Sequence, residues 1–181
     1  MGFVNKPAFR ISVGLMVAGI LVAAARRKKH APLAVVPYVD LNKYAGEWYE
    51  IARLPASFEK DCYATKARYT LQPDGSVKVE NTCHKGSVGG KLKQATGKAV
   101  VSDPVSNAKL KVQFFWPFSG DYWILEVDFD YQYAVVGEPS RENLWILSRQ
   151  PVLDKTLVNG LLQRARAKGF DTSKLIFTKH R

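Results

Sequence analysis

The six residues Lys109-Leu110-Lys111-Val112-Gln113-Phe114 alternate polar and apolar without a break. Successive side chains of a β-strand point to opposite faces, so Leu110, Val112 and Phe114 share one face and the polar residues the other. A sheet built this way has one dry side and one wet side. The same pattern extends along the chain in both directions. Gly46 to Leu54 (GEWYEIARL) reads as a strand ended by Pro55, and Thr65, Ala67, Tyr69 and Leu71 alternate with Lys66, Arg68 and Thr70. Val77 and Val79 follow a tight turn at Pro73-Asp74-Gly75-Ser76, where Gly75 can adopt the positive φ a hairpin needs. Asp121 to Phe129, Tyr133 to Val136 and Leu144 to Ser148 complete the set, punctuated by Gly120, Gly137-Glu138-Pro139-Ser140 and Pro151. Counting from Gly46 gives about eight strands, the pattern of an antiparallel barrel or sandwich.

One helix is expected near the end. Asp154 can cap it, Leu157, Leu161, Leu162 and Ala165 form an apolar stripe at helical spacing, and Gly169 stands where a left-handed cap belongs. Lys155, Gln163, Arg164 and Lys168 lie largely off the stripe, which places the helix on the outside of the sheet. Leu175 to Lys179 reads as a short last strand.

The net charge of +11 is uneven: residues 1–37 hold six basic residues and no acidic one. A nucleic-acid binder concentrates its basic residues on the folded domain, so this distribution argues against nucleic acid and toward a membrane. Ile11 to Ala25 (ISVGLMVAGILVAAA) carries no charge, with Lys6 and Arg10 before it and Arg26-Arg27-Lys28-Lys29 after it. A basic start, an apolar middle and a small-residue end describe an export signal, although the basic cluster that follows resists translocation. No cysteine follows the apolar run and Met1-Gly2 lacks a myristoylation context, so neither lipid attachment is indicated. Residues 1–29 are thus a cleaved signal, a retained anchor or neither; 30–39 read as a linker and 40–181 as the folded domain.

Cys62 and Cys83 are too few for a disulfide scaffold or a four-cysteine zinc site; they form one disulfide or remain thiols. His30, His84 and His180 have no metal spacing, and neither a nucleophile elbow nor a phosphate-cradling glycine loop occurs. Glu126, Asp128 and Asp130 alternate as on a solvated outer face. The reading calls for no cofactor, no metal and no catalytic residue.

Gly46-Glu47-Trp48-Tyr49-Glu50-Ile51-Ala52-Arg53, Leu144-Trp145-Ile146-Leu147-Ser148-Arg149 and the later KGFDTSKL resemble signatures of the lipocalin family. The chain is similar to its bacterial group, close to the plant lipocalins and apolipoprotein D, over roughly residues 38–178. That resemblance implies an eight-stranded up-and-down barrel with the helix outside, Gly46 at the start of the first strand, and Trp48 across the closed end with Arg149 packed on it. Asp130-Tyr131-Gln132-Tyr133 is one residue short of the family's second signature. The resemblance also implies export to the cell envelope, periplasm or outer membrane, and with it a Cys62–Cys83 disulfide. A strict two-residue turn at Asp74-Gly75 sets Cys83 opposite Lys66, so that bond needs the chain before Thr65 to curl back.

A barrel of this size holds one small ligand. Its lining candidates are Tyr69, Leu71, Val77, Val79, Leu110, Val112 and Phe114, with Trp116 if the strand continues. Phe114-Phe115-Trp116-Pro117-Phe118 cannot all point inward, so part of that run forms an exposed edge, as a lipid-entry lip, a membrane contact or a homodimer contact. The expected function is non-enzymatic binding of a fatty acid or lysophospholipid for membrane maintenance. The competing readings are an isomerase-like enzyme using a free Cys62 thiol, and a tethered module that binds protein partners.

Overall fold

The computed structural model describes residues 30–181, so the apolar segment and its basic flank lie outside the described residues. A one-turn helix α1 (Leu41–Tyr44) leads into β1 (Gly46–Arg53), β2 (Cys62–Leu71), β3 (Val77–Lys85), β4 (Lys91–Val101), β5 (Lys109–Phe115), β6 (Phe118–Val127), β7 (Tyr133–Gly137) and β8 (Leu144–Ser148). Helix α2 (Lys155–Ala167) and a two-residue strand β9 (Ile176–Phe177) follow. Each of the eight strands pairs antiparallel with the next, and β1 pairs with both β8 and β2, which closes the sheet into an up-and-down barrel. Closure pairs the first and last strands of the meander, which an open sheet would leave as edges. β9 lies along the second half of β1.

Alternation divides the apolar residues into two cores. Trp48, Tyr69, Val77, Val79, Ala99, Leu110, Ile124, Val136 and Leu147 fill the inside. Ile51, Leu125, Val135, Leu144 and Ile146 face outward and are covered by Val158, Leu161 and Ala165 of α2. Asp154 caps α2 by accepting from Thr156 N at 2.8 Å and Leu157 N at 3.0 Å, and Gly169 takes φ +93° at its end. Arg164 of α2 pairs with Glu126 at 2.7 Å, which ties the helix to β6.

Three sequence expectations are corrected. Gln72 N donates to Ser76 O at 2.7 Å, which leaves the three residues 73–75 at the tip of the β2–β3 turn instead of two, so the register moves by one and Lys66 faces Thr82. β4 has no counterpart in the sequence reading, and β6 begins at Phe118 rather than Asp121. Residues 30–39 run against the barrel: Leu33 and Val39 are buried, and Val36 N donates to Ile124 O at 3.1 Å.

The chain before Thr65 does curl back. Ala64 takes φ +47° in a bulge of β2 and donates its N–H to Lys179 O at 2.8 Å. Pairing resumes with Cys62 opposite Lys85, which brings Cys62 diagonal to Cys83, and the two form a disulfide with Cα atoms 5.4 Å apart. The thiol required by the isomerase-like reading is consumed in that bond.

Candidate ligand-binding calyx

The closed end is built from α1 and two distant signature residues. Trp48 is fully buried and donates Nε1–H to Tyr44 O at 2.8 Å. The Arg149 guanidinium lies 3.8 Å from the Trp48 ring and donates to the carbonyls of Lys43, Ala45 and Glu47 at 2.7–2.9 Å. Stacking an arginine on an indole contributes about 0.5–2 kcal/mol, and its fork of donors satisfies the carbonyls that α1 leaves free. Gly46 sits between them at φ +100°, where a Cβ would approach Arg149 Nη1 to 3.2 Å. Gly46, Trp48 and Arg149 therefore form one floor plug.

Above the plug, three phenols meet inside the apolar wall. Tyr122 OH lies 2.7 Å from Tyr44 OH and 2.8 Å from Tyr69 OH. Burial pushes all three hydroxyls above their ordinary pKa, so they stay neutral. Three hydroxyls sharing two hydrogen bonds leave one O–H proton free. Beside them Leu41, Val77, Ala99, Leu110 and Val112 enclose a cavity of about 10 Å³, room for roughly one water. The lower calyx is filled.

The upper calyx is open. Gly120 faces Val112 in the β5–β6 register, two residues from the inward Tyr122, and a Cβ there would meet nothing within 4 Å. Val112, Phe114, Ala95 and Gly97 are only half-buried, at the height where β4 runs past its last pairing with β5 at Lys98. Phe114 lies over Gly97, where a Cβ would come within 2.8 Å of its ring.

Of the lining candidates, Tyr69, Val77, Val79 and Leu110 are buried on the inner face, with Val112 and Phe114 packed against them. Leu71 and Trp116 are corrections. Leu71 ends β2, two residues past its last pairing with β1 at Tyr69, and is 36% exposed. β5 stops at Phe115, so Trp116 falls in the hairpin turn at the mouth and is 86% exposed. With Phe115 and Phe118, which are also exposed, it forms a projecting aromatic lip.

A polar cluster inside the mouth was missed. Glu50 and Arg53 of β1 are buried, and Glu59 reaches in from the loop between β1 and β2. That loop spans the mouth: Trp145 Nε1 of β8 donates to Glu59 Oε2 at 3.2 Å, while Lys93 of β4 donates to Phe58 O at 3.1 Å. Parity with Trp48 could have flagged Glu50, whereas the bulge at Ile51 hides Arg53.

Burial first, then the neighbouring Glu59, raises the Glu50 pKa to about 8, against partial relief from Thr178 and Arg53. The folded chain thus binds a proton that the unfolded chain releases near pH 4.5. Stability from this group is complete below that value and is lost as pH rises to about 8. Thermal melting is expected to fall across this window. Glu50→Gln, which keeps an acceptor for the Thr178 hydroxyl, is expected to flatten the slope; an unchanged slope would show that other groups cause it.

The model of the lipocalin-like domain family matches residues 39–180. The chain belongs to the lipocalin family. This lipocalin is 41% identical over 152 residues to temperature-induced lipocalin-1 of Arabidopsis thaliana, covering 79% of this chain and 80% of that one. It is 38% identical to the outer membrane lipoprotein Blc of Vibrio cholerae, covering 82% and 88%, and 33% identical to apolipoprotein D of Bos taurus, covering 89% of each. Insecticyanin of the tobacco hornworm Manduca sexta superposes with a TM-score of 0.64 at 25% identity, covering 83% and 86%. Lipocalins characteristically bind small hydrophobic ligands, and the calyx of this lipocalin has the apolar wall for one.

Proposed function

We propose that this lipocalin holds a single-chain lipid, of the fatty acid or lysophospholipid class, in the upper calyx, and carries it for membrane maintenance at the cell envelope without chemistry of its own. The observation that carries this reading is the open inner face at Gly120, bounded by Val112 and Phe114 and leading down to an apolar wall. Pockets for apolar ligands combine such walls with few polar groups. Relatives named as outer membrane lipoproteins support the envelope location.

The aromatic lip supports contact with a membrane. Phe115, Trp116 and Phe118 project at the mouth, with exposed Phe58 on the β1–β2 loop and exposed Leu92 at the start of β4. Lys60, Lys85, Lys91 and Lys93 stand around them, an arrangement suited to anionic headgroups. A symmetric dimer through the same lip would set these lysines against their own copies.

Gly120→Trp tests the calyx. The position has room and an ordinary φ, so the fold is expected to hold while the indole occupies the ligand space. Uptake of a fluorescent fatty acid is expected to weaken by at least about tenfold relative to the parent. Uptake at parental affinity by a folded G120W protein would place the ligand outside the barrel.

A further inference from the structure

Arg53 is buried inside the mouth with donors to spare. It stands on β1 opposite Trp145 of β8 and is 3% exposed. Its Nη2 donates to Glu59 O at 2.6 Å. Its Nε is 3.0 Å from Glu59 Oε2, close enough for an ion pair but not aligned for a hydrogen bond. Nη1 has no hydrogen-bond partner among the described residues. Leaving arginine donors buried and unused is unfavourable, and such groups call for an acceptor.

We propose that Arg53 receives the anionic headgroup, carboxylate or phosphate, of a single-chain lipid, and that Glu59 is the internal counterion which that headgroup displaces. The site rests on the lipid reading above and adds to it the orientation of the ligand: head at the mouth, chain toward Val112 and Leu110.

Charge balance favours the exchange. Arg53 faces two carboxylates, Glu50 at 3.6 Å and Glu59 at 3.0 Å. Burial and mutual repulsion keep Glu50 protonated up to about pH 8, with the Thr178 hydroxyl bonded to its Oε1, so the site holds one negative charge. A lipid carboxylate entering as Glu59 leaves keeps that charge constant. Neither step strands an unpaired buried ion.

The parts are also separable. Glu50 and Arg53 belong to the barrel wall, whereas Glu59 belongs to a single 3-10 turn, Ser57–Glu59. From the far side Lys93 holds Phe58 O, Lys85 holds Lys60 O and Gly86 N holds Asp61 O, all at backbone carbonyls, so none of these bonds restrains the Glu59 side chain. When Glu59 swings out, the Trp145 Nε1–H that it occupies becomes available to the second oxygen of the headgroup. Arginine and indole donors then converge on one anion, with the apolar wall below for its chain.

The test titrates the full chain with oleate and with oleyl alcohol, which share a chain and differ in charge. The parent is expected to prefer oleate by about tenfold. Arg53→Met is expected to abolish the preference while still binding the alcohol, and Glu59→Gln to increase it severalfold by removing the competitor. Equal binding of both ligands by the parent, or a folded R53M protein that keeps the preference, would overturn the headgroup site and leave the lipid reading standing. If R53M fails to fold, Glu59→Gln decides, and an unchanged or smaller preference there overturns the proposal. Failure of the parent to bind either ligand would remove the lipid reading and this site together. Inorganic phosphate is expected not to displace oleate; displacement would reassign Arg53 to a free anion and overturn the headgroup assignment.

Discussion

Arg149→Ala is expected to destabilise the barrel by about 3 kcal/mol in denaturant unfolding. The side chain stacks on Trp48 and donates to the carbonyls of Lys43, Ala45 and Glu47, and its Nε donates to Tyr131 O at 3.2 Å. One guanidinium therefore ties α1, β1 and the β6–β7 turn to the end of β8. Part of this surface is wet, so some lost bonds return to water, which keeps the expected cost well below the sum of its contacts. Arg149→Lys is expected to recover little, because an ammonium cannot reproduce the planar stack and the forked donors. A loss under about 1 kcal/mol for the alanine variant would show that Trp48 and α1 close the floor without it.

Replacing Cys62 and Cys83 together by serine is expected to cost a similar amount, about 3 kcal/mol, for a bond closing a separation of 21 residues. Its position makes the effect more than a change in chain entropy. Cys62 follows the turn that carries Glu59, and Cys83 lies on β3 beside the bulge at Ala64. The bond fixes where β2 leaves the mouth loop, so the serine pair is also expected to exchange amide hydrogens faster at residues 55–64. Thiol titration under denaturing, non-reducing conditions is expected to find neither cysteine reactive among the described residues.

Most of the inner wall was legible in strand parity. Tyr69, Val77, Val79, Leu110 and Val112 follow from alternation alone, because each strand keeps one face in the core. β4 was not, and the reason is physical. Its inward residues include Ala95, Gly97 and Ala99, all small, with the Phe114 ring packed over Gly97, while Leu92 and Val100 point outward. The hydrophobic pattern of that strand is inverted, so its periodicity gives no signal. Trp116 failed for a different reason: parity carries no information beyond a strand's end, and β5 ends one residue earlier. The mouth cluster combines both difficulties. The bulge at Ile51 shifts Arg53 out of the parity set by Trp48 and Glu50, and Glu59 comes from a loop that no periodicity describes. The floor pair Trp48 and Arg149 was readable only through family resemblance, since nothing local in either segment says that they meet.

The central claim is that the upper calyx carries a lipid. Native mass spectrometry of the protein purified from its own membranes, followed by mild denaturation and lipid extraction, tests it most directly. The expected result is one fatty acid or lysophospholipid per chain, lost in the Gly120→Trp variant prepared in the same way. A parent protein that emerges without lipid and takes up no oleate would contradict the claim.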